Sequence, residues 1–192
     1  MSSSDDFSMT VENDKTVDNK VPFTVLNTNA RSLCPKINSL LDCFSQMEAS
    51  VGIVTETWLT DGEGLEEELE DLRMGTGLNI LHRNREVNSK GFSHGGVAVV
   101  YRESALSLRK VKLHNPRSFE VVVAEGKLKA CGRKLVTVAC YVPPNYPVPR
   151  GRQALSFIAG AVTDAKIRHD DPLVLVAGDF NQWPIGEALR LP

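Results

Sequence analysis

The chain has 192 residues, a formal net charge of -2, 42% hydrophobic and 24% charged residues, the make-up of one soluble globular domain with a core of its own. A balance this close to neutral excludes a strong general attraction to nucleic acid, and no apolar run approaches the ~18 residues of a membrane-spanning helix. The cysteines Cys34, Cys43, Cys131 and Cys140 form no C-x-x-C pair and follow no signal peptide, so reduced thiols in an intracellular compartment are expected.

Residues 1–20 hold five acids, two lysines and three consecutive serines, and read as a disordered acidic tail ahead of a single domain over residues 21–192. After Pro22, Phe23-Thr24-Val25-Leu26 is a short strand. It runs into Asn27, Thr28 and Asn29, whose i, i+2 asparagines either stabilise a turn or project from a strand end. From Ser32 or Cys34 to Glu48 the spacing of Ile37, Leu40, Leu41, Phe44 and Met47 predicts an amphipathic helix, with Pro35 tolerated in its first turn. Val51-Gly52-Ile53-Val54-Thr55 is a buried strand that ends in Glu56. The order strand, helix, strand predicts a crossover that brings Asn27, Asn29 and Glu56 to one edge of a sheet.

Residues 61–72, rich in acids and with Leu65, Leu69 and Leu72 on one side, predict a short acidic helix. Strands follow at 78–82, 96–101, 106–113, 119–124 and 134–142, with turn points at Gly95-Gly96 and Ala130-Cys131-Gly132-Arg133, so the centre is β-rich and largely antiparallel. Tyr141 stands at the end of the last of these strands. A second long helix covers residues 151–169, its stripe made by Leu155, Ile158, Ala161, Val162 and Ala165. It leads into Leu173-Val174-Leu175-Val176-Ala177, whose unbroken apolar run between Pro172 and Gly178 predicts a fully buried strand. Asp179 and Asn181 stand beyond it. If the extended backbone continues, both side chains leave one face; taken alone, the stretch favours a capping Asp and a turn Asn.

Taken together, the strand ends offer Asn27, Asn29, Glu56, Tyr141, Asp179 and Asn181. Magnesium prefers oxygen ligands and keeps several waters, so one or two carboxylates suffice to hold it beside a phosphate. Phosphoryl chemistry also needs a group that positions or deprotonates the attacking water, and neutral donors for the charged oxygens. Glu56 suits the metal, Asp179 the water, and Asn27, Asn29, Asn181 and Tyr141 the donors. The pattern points to a metal-assisted phosphoesterase.

Four blocks, Leu26-Asn27-Thr28-Asn29, Thr55-Glu56-Thr57-Trp58-Leu59, Tyr141-Val142-Pro143-Pro144 and Gly178-Asp179-Phe180-Asn181, stand in the order and approximate spacing of the endonuclease/exonuclease/phosphatase superfamily. The chain resembles that superfamily from about Phe23 to Trp183. Asn29-Ala30-Arg31-Ser32-Leu33 followed by Lys36, the Thr-Glu-Thr-Trp-Leu block and Gly95-Gly96-Val97-Ala98-Val99-Val100-Tyr101 look more like one branch of it, the apurinic-type endonuclease domain of non-LTR retrotransposons. The resemblance implies a four-layer α/β sandwich, two mixed sheets face to face with helices outside. It implies Mg²⁺ or Mn²⁺ bound by Glu56, with Asn29 at a nearby metal or substrate position. Asp179 would orient or activate the water, Asn181 would contact the scissile phosphate, Tyr141 would line the same pocket, and Asn27 is the asparagine of the first motif. The implied reaction is in-line hydrolysis of a phosphodiester, the implied partner is target DNA to be nicked, and the implied place is the nucleus, with no membrane involved.

The family's closing Ser-Asp-His block, and a further aspartate, have no match in this sequence. His169 is no substitute, because a strand of ~7 residues at ~3.3 Å each separates it from Asp179 by more than ~20 Å. His94, in the loop before a strand, reads as a surface residue, near DNA at best, and His82 and His114 offer no partner. The expectation is a domain truncated at its C-terminus, its last strands missing, with little or no nuclease activity. Two other readings stand beside it. One is a phosphatase or phosphodiesterase acting on a lipid or inositol phosphate. The other is a non-catalytic remnant that binds DNA through residues 102–134, where nine Lys or Arg outnumber Glu103, Glu120 and Glu125.

Overall fold

The structure is a computed structural model that describes residues 8–10, 23–60, 65–85, 95–112, 119–144, 147–183 and 185. One mixed sheet contains β1 (Ser8–Thr10), β2 (Thr24–Asn29), β3 (Val51–Thr55), β4 (Leu78–Arg83) and β5 (Val97–Arg102) in the order β1-β2-β3-β5-β4. The other contains β6 (Leu106–Lys110), β7 (Glu120–Leu128), β8 (Lys134–Tyr141) and β9 (Leu173–Asp179) in chain order. Each sheet has one parallel pair, β2 with β3 and β8 with β9. These are the pairs joined through helices, α1 (Ile37–Gln46) and α3 (Val148–Arg168), as crossover geometry requires. The remaining ladders are antiparallel.

Alternation along the strands builds the layers. Val25, Val51, Ile53, Val97 and Val99 of the first sheet meet Val122, Ala124, Leu135 and Ala139 of the second in one core between the sheets. The opposite phase of the first sheet, including Leu26, Val54 and Val100, packs on Leu40 and Phe44 of α1 and on leucines of α2 (Leu65–Thr76). The opposite phase of the second, including Val121, Val123, Val136 and Val138, packs on Ala154, Ile158 and Ala165 of α3. The result is helix, sheet, sheet, helix, as expected. Gly52 sets the approach of α1, because a Cβ there would lie 2.7 Å from two ring carbons of Phe44.

Several expectations change. The tail over residues 1–20 is not wholly outside the fold: Ser8–Thr10 pairs antiparallel with β2, Ser8 opposite Leu26. Composition reports what a segment can bury by itself, whereas the edge of β2 offers backbone partners to almost any sequence. The rest of residues 1–20 lies outside the described residues. The strand expected to be fully buried, β9, is bonded to β8 alone among the described residues, and each of its residues is only half-buried. Its apolar run reflects two covered faces, with Leu173, Leu175 and Ala177 toward the inter-sheet core and Val174 and Val176 toward α3. Coverage of both faces says nothing about position in the sheet.

The boundaries also move. β2 continues to Asn29 rather than stopping at Leu26, because its ladder with β3 runs on through Asn29 opposite Thr55. α2 runs from Leu65 to Thr76, while residues 61–64 of the expected acidic helix lie outside the described residues. α3 begins at Val148, with Pro147 ahead of it and a proline in its first turn, where a missing N–H does no harm. Cys34, Cys43 and Cys131 are exposed free thiols and Cys140 is a buried one. No helix of the described residues is long and apolar enough to cross a membrane.

Candidate active site

The core-facing phase of three strands ends in polar groups. It reads Val25, Asn27, Asn29 along β2, Ala139, Tyr141 along β8, and Leu175, Ala177, Asp179 along β9. The carboxyl ends of β2 and β9 meet although the strands belong to different sheets: Asn27 Nδ2 donates to Gly178 O at 3.3 Å. Polar side chains that would be costly deeper in the core therefore gather where the inter-sheet space opens to solvent.

Asn29 is the hub. Its Nδ2 donates to Glu56 Oε1 at 2.9 Å and to Asp179 Oδ2 at 3.0 Å. Its oxygen accepts from the Arg31 backbone N–H at 3.2 Å, which fixes the amide's orientation. The Tyr141 hydroxyl donates to the same Glu56 Oε1 at 3.2 Å. One layer deeper, Asn27 Oδ1 is buried and has no hydrogen-bond partner.

Glu56 follows β3 in a left-handed backbone conformation, φ 50°, and Trp58 has φ 52°. Such a φ on a non-glycine residue costs of order 1–3 kcal/mol and persists only where the surroundings over-determine it. Here they do. Ser32 N donates to Glu56 O at 2.9 Å, Leu33 N to Thr57 O at 2.9 Å, and Trp58 N to Gly95 O at 2.9 Å. Lys36 Nζ ties the other loop by donating to Ala30 O and to Arg31 O. The Gly95-Gly96 pair, expected as a turn, is thus a platform for the Glu56 loop. Gly96 has φ 89°, and a Cβ on it would lie 2.4 Å from Thr57 Oγ1.

Asp179 and Asn181 do not leave one face of a continued strand. β9 stops at Asp179 and Asn181 adopts φ 48°, a conformation that asparagine tolerates. The pair is joined by a turn in which Asn181 N donates to Asp179 Oδ1 at 3.1 Å, while Asn181 Nδ2 donates to Val142 O at 2.8 Å. Both Asp179 oxygens thus accept a hydrogen bond, so the carboxylate is held in one orientation.

Burial, then the charges of Glu56, Asp179 and Glu120, push the Tyr141 phenol well above its ordinary range, so its hydroxyl is a donor at neutral pH. Among the described residues no group of three or more His, Cys, Asp or Glu is placed to hold a metal ion. The donor set is nonetheless all oxygen: the Glu56 and Asp179 carboxylates held by one amide, and the orphaned Asn27 Oδ1. A hard cation that binds through one or two carboxylates and completes its shell with water and phosphate fits such a set.

The structure therefore brings Asn29, Glu56, Tyr141 and Asp179 into direct hydrogen-bond contact, with Asn27 and Asn181 bonded to flanking backbone. His169 lies elsewhere, its Nε2 3.5 Å from Glu125 Oε2. His82 Nδ1 is 3.0 Å from Asn84 Oδ1, and His94 and His114 lie outside the described residues. Sequence reasoning missed Glu120. It opens β7 directly across from Tyr141 and is 5% exposed. The signal was available: Glu120 is in phase with the core-facing Val122 and Ala124, where an acid has no business on a solvated face.

Residues 17–192 match the sequence profile described as the Endonuclease/Exonuclease/phosphatase family. No curated protein sequence matches the chain. Among solved structures it is similar to the 3' phosphatase NExo from Neisseria bound to product DNA hairpin, with TM-score 0.55 and 16% identity over 82% of this chain and 57% of that one. It is similar to truncated Caenorhabditis elegans TDP2, with TM-score 0.59 and 14% identity over 85% and 61% of the two chains. It is also similar to the endonuclease domain of TRAS1, a telomere-specific non-LTR retrotransposon, with TM-score 0.54 and 13% identity over 88% and 69%. At these identities the likeness is one of fold, and the chain spans 57% of the Neisseria protein's length.

Proposed function

The chain belongs to the endonuclease/exonuclease/phosphatase family, and from that premise we propose that it hydrolyses DNA phosphodiester bonds as a nicking endonuclease of the non-LTR retrotransposon type, dependent on Mg²⁺ or Mn²⁺ and acting in the nucleus. The observation that carries the reading is the Asn29 amide, which holds Glu56 and Asp179 together at the mouth of the inter-sheet space. Glu56, with the unpartnered amide oxygen of Asn27, would hold the divalent ion, which when bound neutralises charge on the phosphate. The Asn29 oxygen is turned to the Arg31 N–H, so Asn29 serves there as a donor to the carboxylates. Asp179, locked by Asn29 and Asn181, orients the attacking water and takes its proton. Tyr141, kept protonated, and the asparagines donate to the oxygens on which charge builds. The DNA substrate is supported by the sequence blocks shared with retrotransposon endonucleases. The similar solved structures that carry a DNA hairpin or come from such an element point the same way.

The sequence has no match to the family's Ser-Asp-His block, so the expectation for this chain is slow turnover. The test is nicking of supercoiled plasmid by excess protein with Mg²⁺. Slow nicking that disappears with chelator, with Glu56→Ala and with Asp179→Asn is expected. Nicking that survives all three, or none at all, would sink the proposal.

A further inference from the structure

A second charged pair stands beside the site. Glu120 has the phase of Val122 and Ala124, so its carboxylate enters the inter-sheet space next to Tyr141. Arg85, two residues beyond β4 in the opposite sheet, reaches across to it, with Nε 3.1 Å from Oε1. Burial pushes the Glu120 carboxyl up, and the charges of Arg85 and Arg83 pull against it. The charges of two guanidinium groups thus act on this one buried carboxylate. The second carboxylate oxygen, Oε2, is buried and has no partner, and 40% of the Arg85 side chain is exposed.

The pair is built into the site's scaffold. A Cβ on Gly95 would lie 2.9 Å from Arg85 Cδ and 3.4 Å from Glu120 Oε1, while the Gly95 carbonyl accepts from Trp58 in the Glu56 loop. One glycine thus joins the ion pair to the catalytic loop. Stability alone is a weak reason for such a pair, since apolar residues of similar volume join two sheets at least as well. A braced cation has another use here. The two carboxylates of the site repel a phosphate strand, and a guanidinium fork at the rim offsets that repulsion and fixes a phosphate in position.

We propose that Arg85, braced by Glu120, grips a phosphate of the substrate strand beside the one that is cleaved, which makes the substrate a polynucleotide strand rather than an isolated phosphate ester. The assignment rests on the phosphodiesterase reading above, and the two are tested separately. Binding is measured by fluorescence anisotropy of a labelled duplex oligonucleotide with the 192-residue chain in EDTA, across a salt series. Arg85→Ala weakens binding roughly three- to tenfold at low salt and lowers the slope of log affinity against log salt by about 0.9, one phosphate contact. Arg85→Lys restores the slope but not the full affinity, because a point charge replaces the fork.

Glu120→Gln gives the sharper result. Removing a negative charge would tighten DNA binding by simple attraction, whereas loss of the brace weakens it. A tighter Glu120→Gln complex, an Arg85→Ala slope equal to that of the wild type, or no salt-dependent binding by the wild type would each overturn the proposal. Both conservative variants preserve side-chain volume, and their thermal melts check that they fold. The nicking assay with Glu56→Ala decides the phosphodiesterase reading independently, because the binding measurement does not require cleavage.

Discussion

The Tyr141 hydroxyl donates to Glu56 Oε1 at 3.2 Å across the space between the two sheets, joining residues 85 positions apart in the chain. Tyr141 is 6% exposed, so its ring belongs to the core and only its oxygen belongs to the site. Tyr141→Phe preserves the ring and removes one donor to a charged acceptor, an interaction of about 1.5–3 kcal/mol. If the donor serves the transition state, nicking slows about 10- to 100-fold while the thermal melt changes little. A variant that nicks at the wild-type rate would remove Tyr141 from the reaction.

Gly178 places Asp179. Its φ is 144°, and a Cβ on it would lie 1.9 Å from the backbone oxygen of Cys140 on β8. Gly178→Ala therefore forces β9 away from β8 as well as straining the backbone, at a cost of at least about 1–3 kcal/mol. In a domain of this size that corresponds to a fall in Tm of roughly 3–10 °C. Nicking should fall further than stability requires, because Asn27 bonds the Gly178 carbonyl and Asn29 bonds the next side chain. A melt within a degree of the wild type would contradict this account.

Glu125 gives the pH dependence of folding. It lies in β7, far along the strand from Glu120, and receives Arg109 on one oxygen and Arg168 on the other, with His169 3.5 Å away. Burial pushes its carboxyl up, but the hydrogen bonds of Arg168 and His169 and the charges of Arg168 and Arg109 outweigh burial and hold it below its ordinary value of 4.5. A carboxylate depressed in the folded state contributes stability that is complete above the unfolded value and lost as the pH falls through the folded one. Arg109 and Arg168 are 79% and 42% exposed, so Glu125→Gln costs about 1–3 kcal/mol at neutral pH, less than breaking a fully buried pair. The stability gap between wild type and variant, from urea melts at several pH values, should shrink below about pH 4.5. A gap that grows on acidification would refute the assignment.

Much of the candidate site was legible in the sequence because a polar group at the end of a strand leaves a local mark. Asn27 and Asn29, Glu56, Tyr141 and Asp179 each follow a run of β-forming apolar residues, and that adjacency survives without any knowledge of the partners. Glu120 left the same mark at the beginning of its strand, but a lone acid ahead of three valines reads as a solvated end unless the phase of the strand is known. Arg85 left none, since an arginine in a loop is ordinary until a buried carboxylate is found opposite it.

By itself the sequence marked out most of the strands and helices and the candidate residues at the strand ends, because period-two alternation and polar strand ends are properties of neighbouring residues. The four layers were implied only by the family resemblance. Tertiary structure alone decided who touches whom. Asn29 meets Glu56 across 27 positions and Asp179 across 150, and these contacts exist only because two sheets stack with their polar ends together. It also decided that β9, expected to be fully buried, is half-buried and paired with β8 alone among the described residues. Hydrophobic pattern reports which faces of a strand are covered, and backbone pairing at its edges is carried by groups that every residue shares.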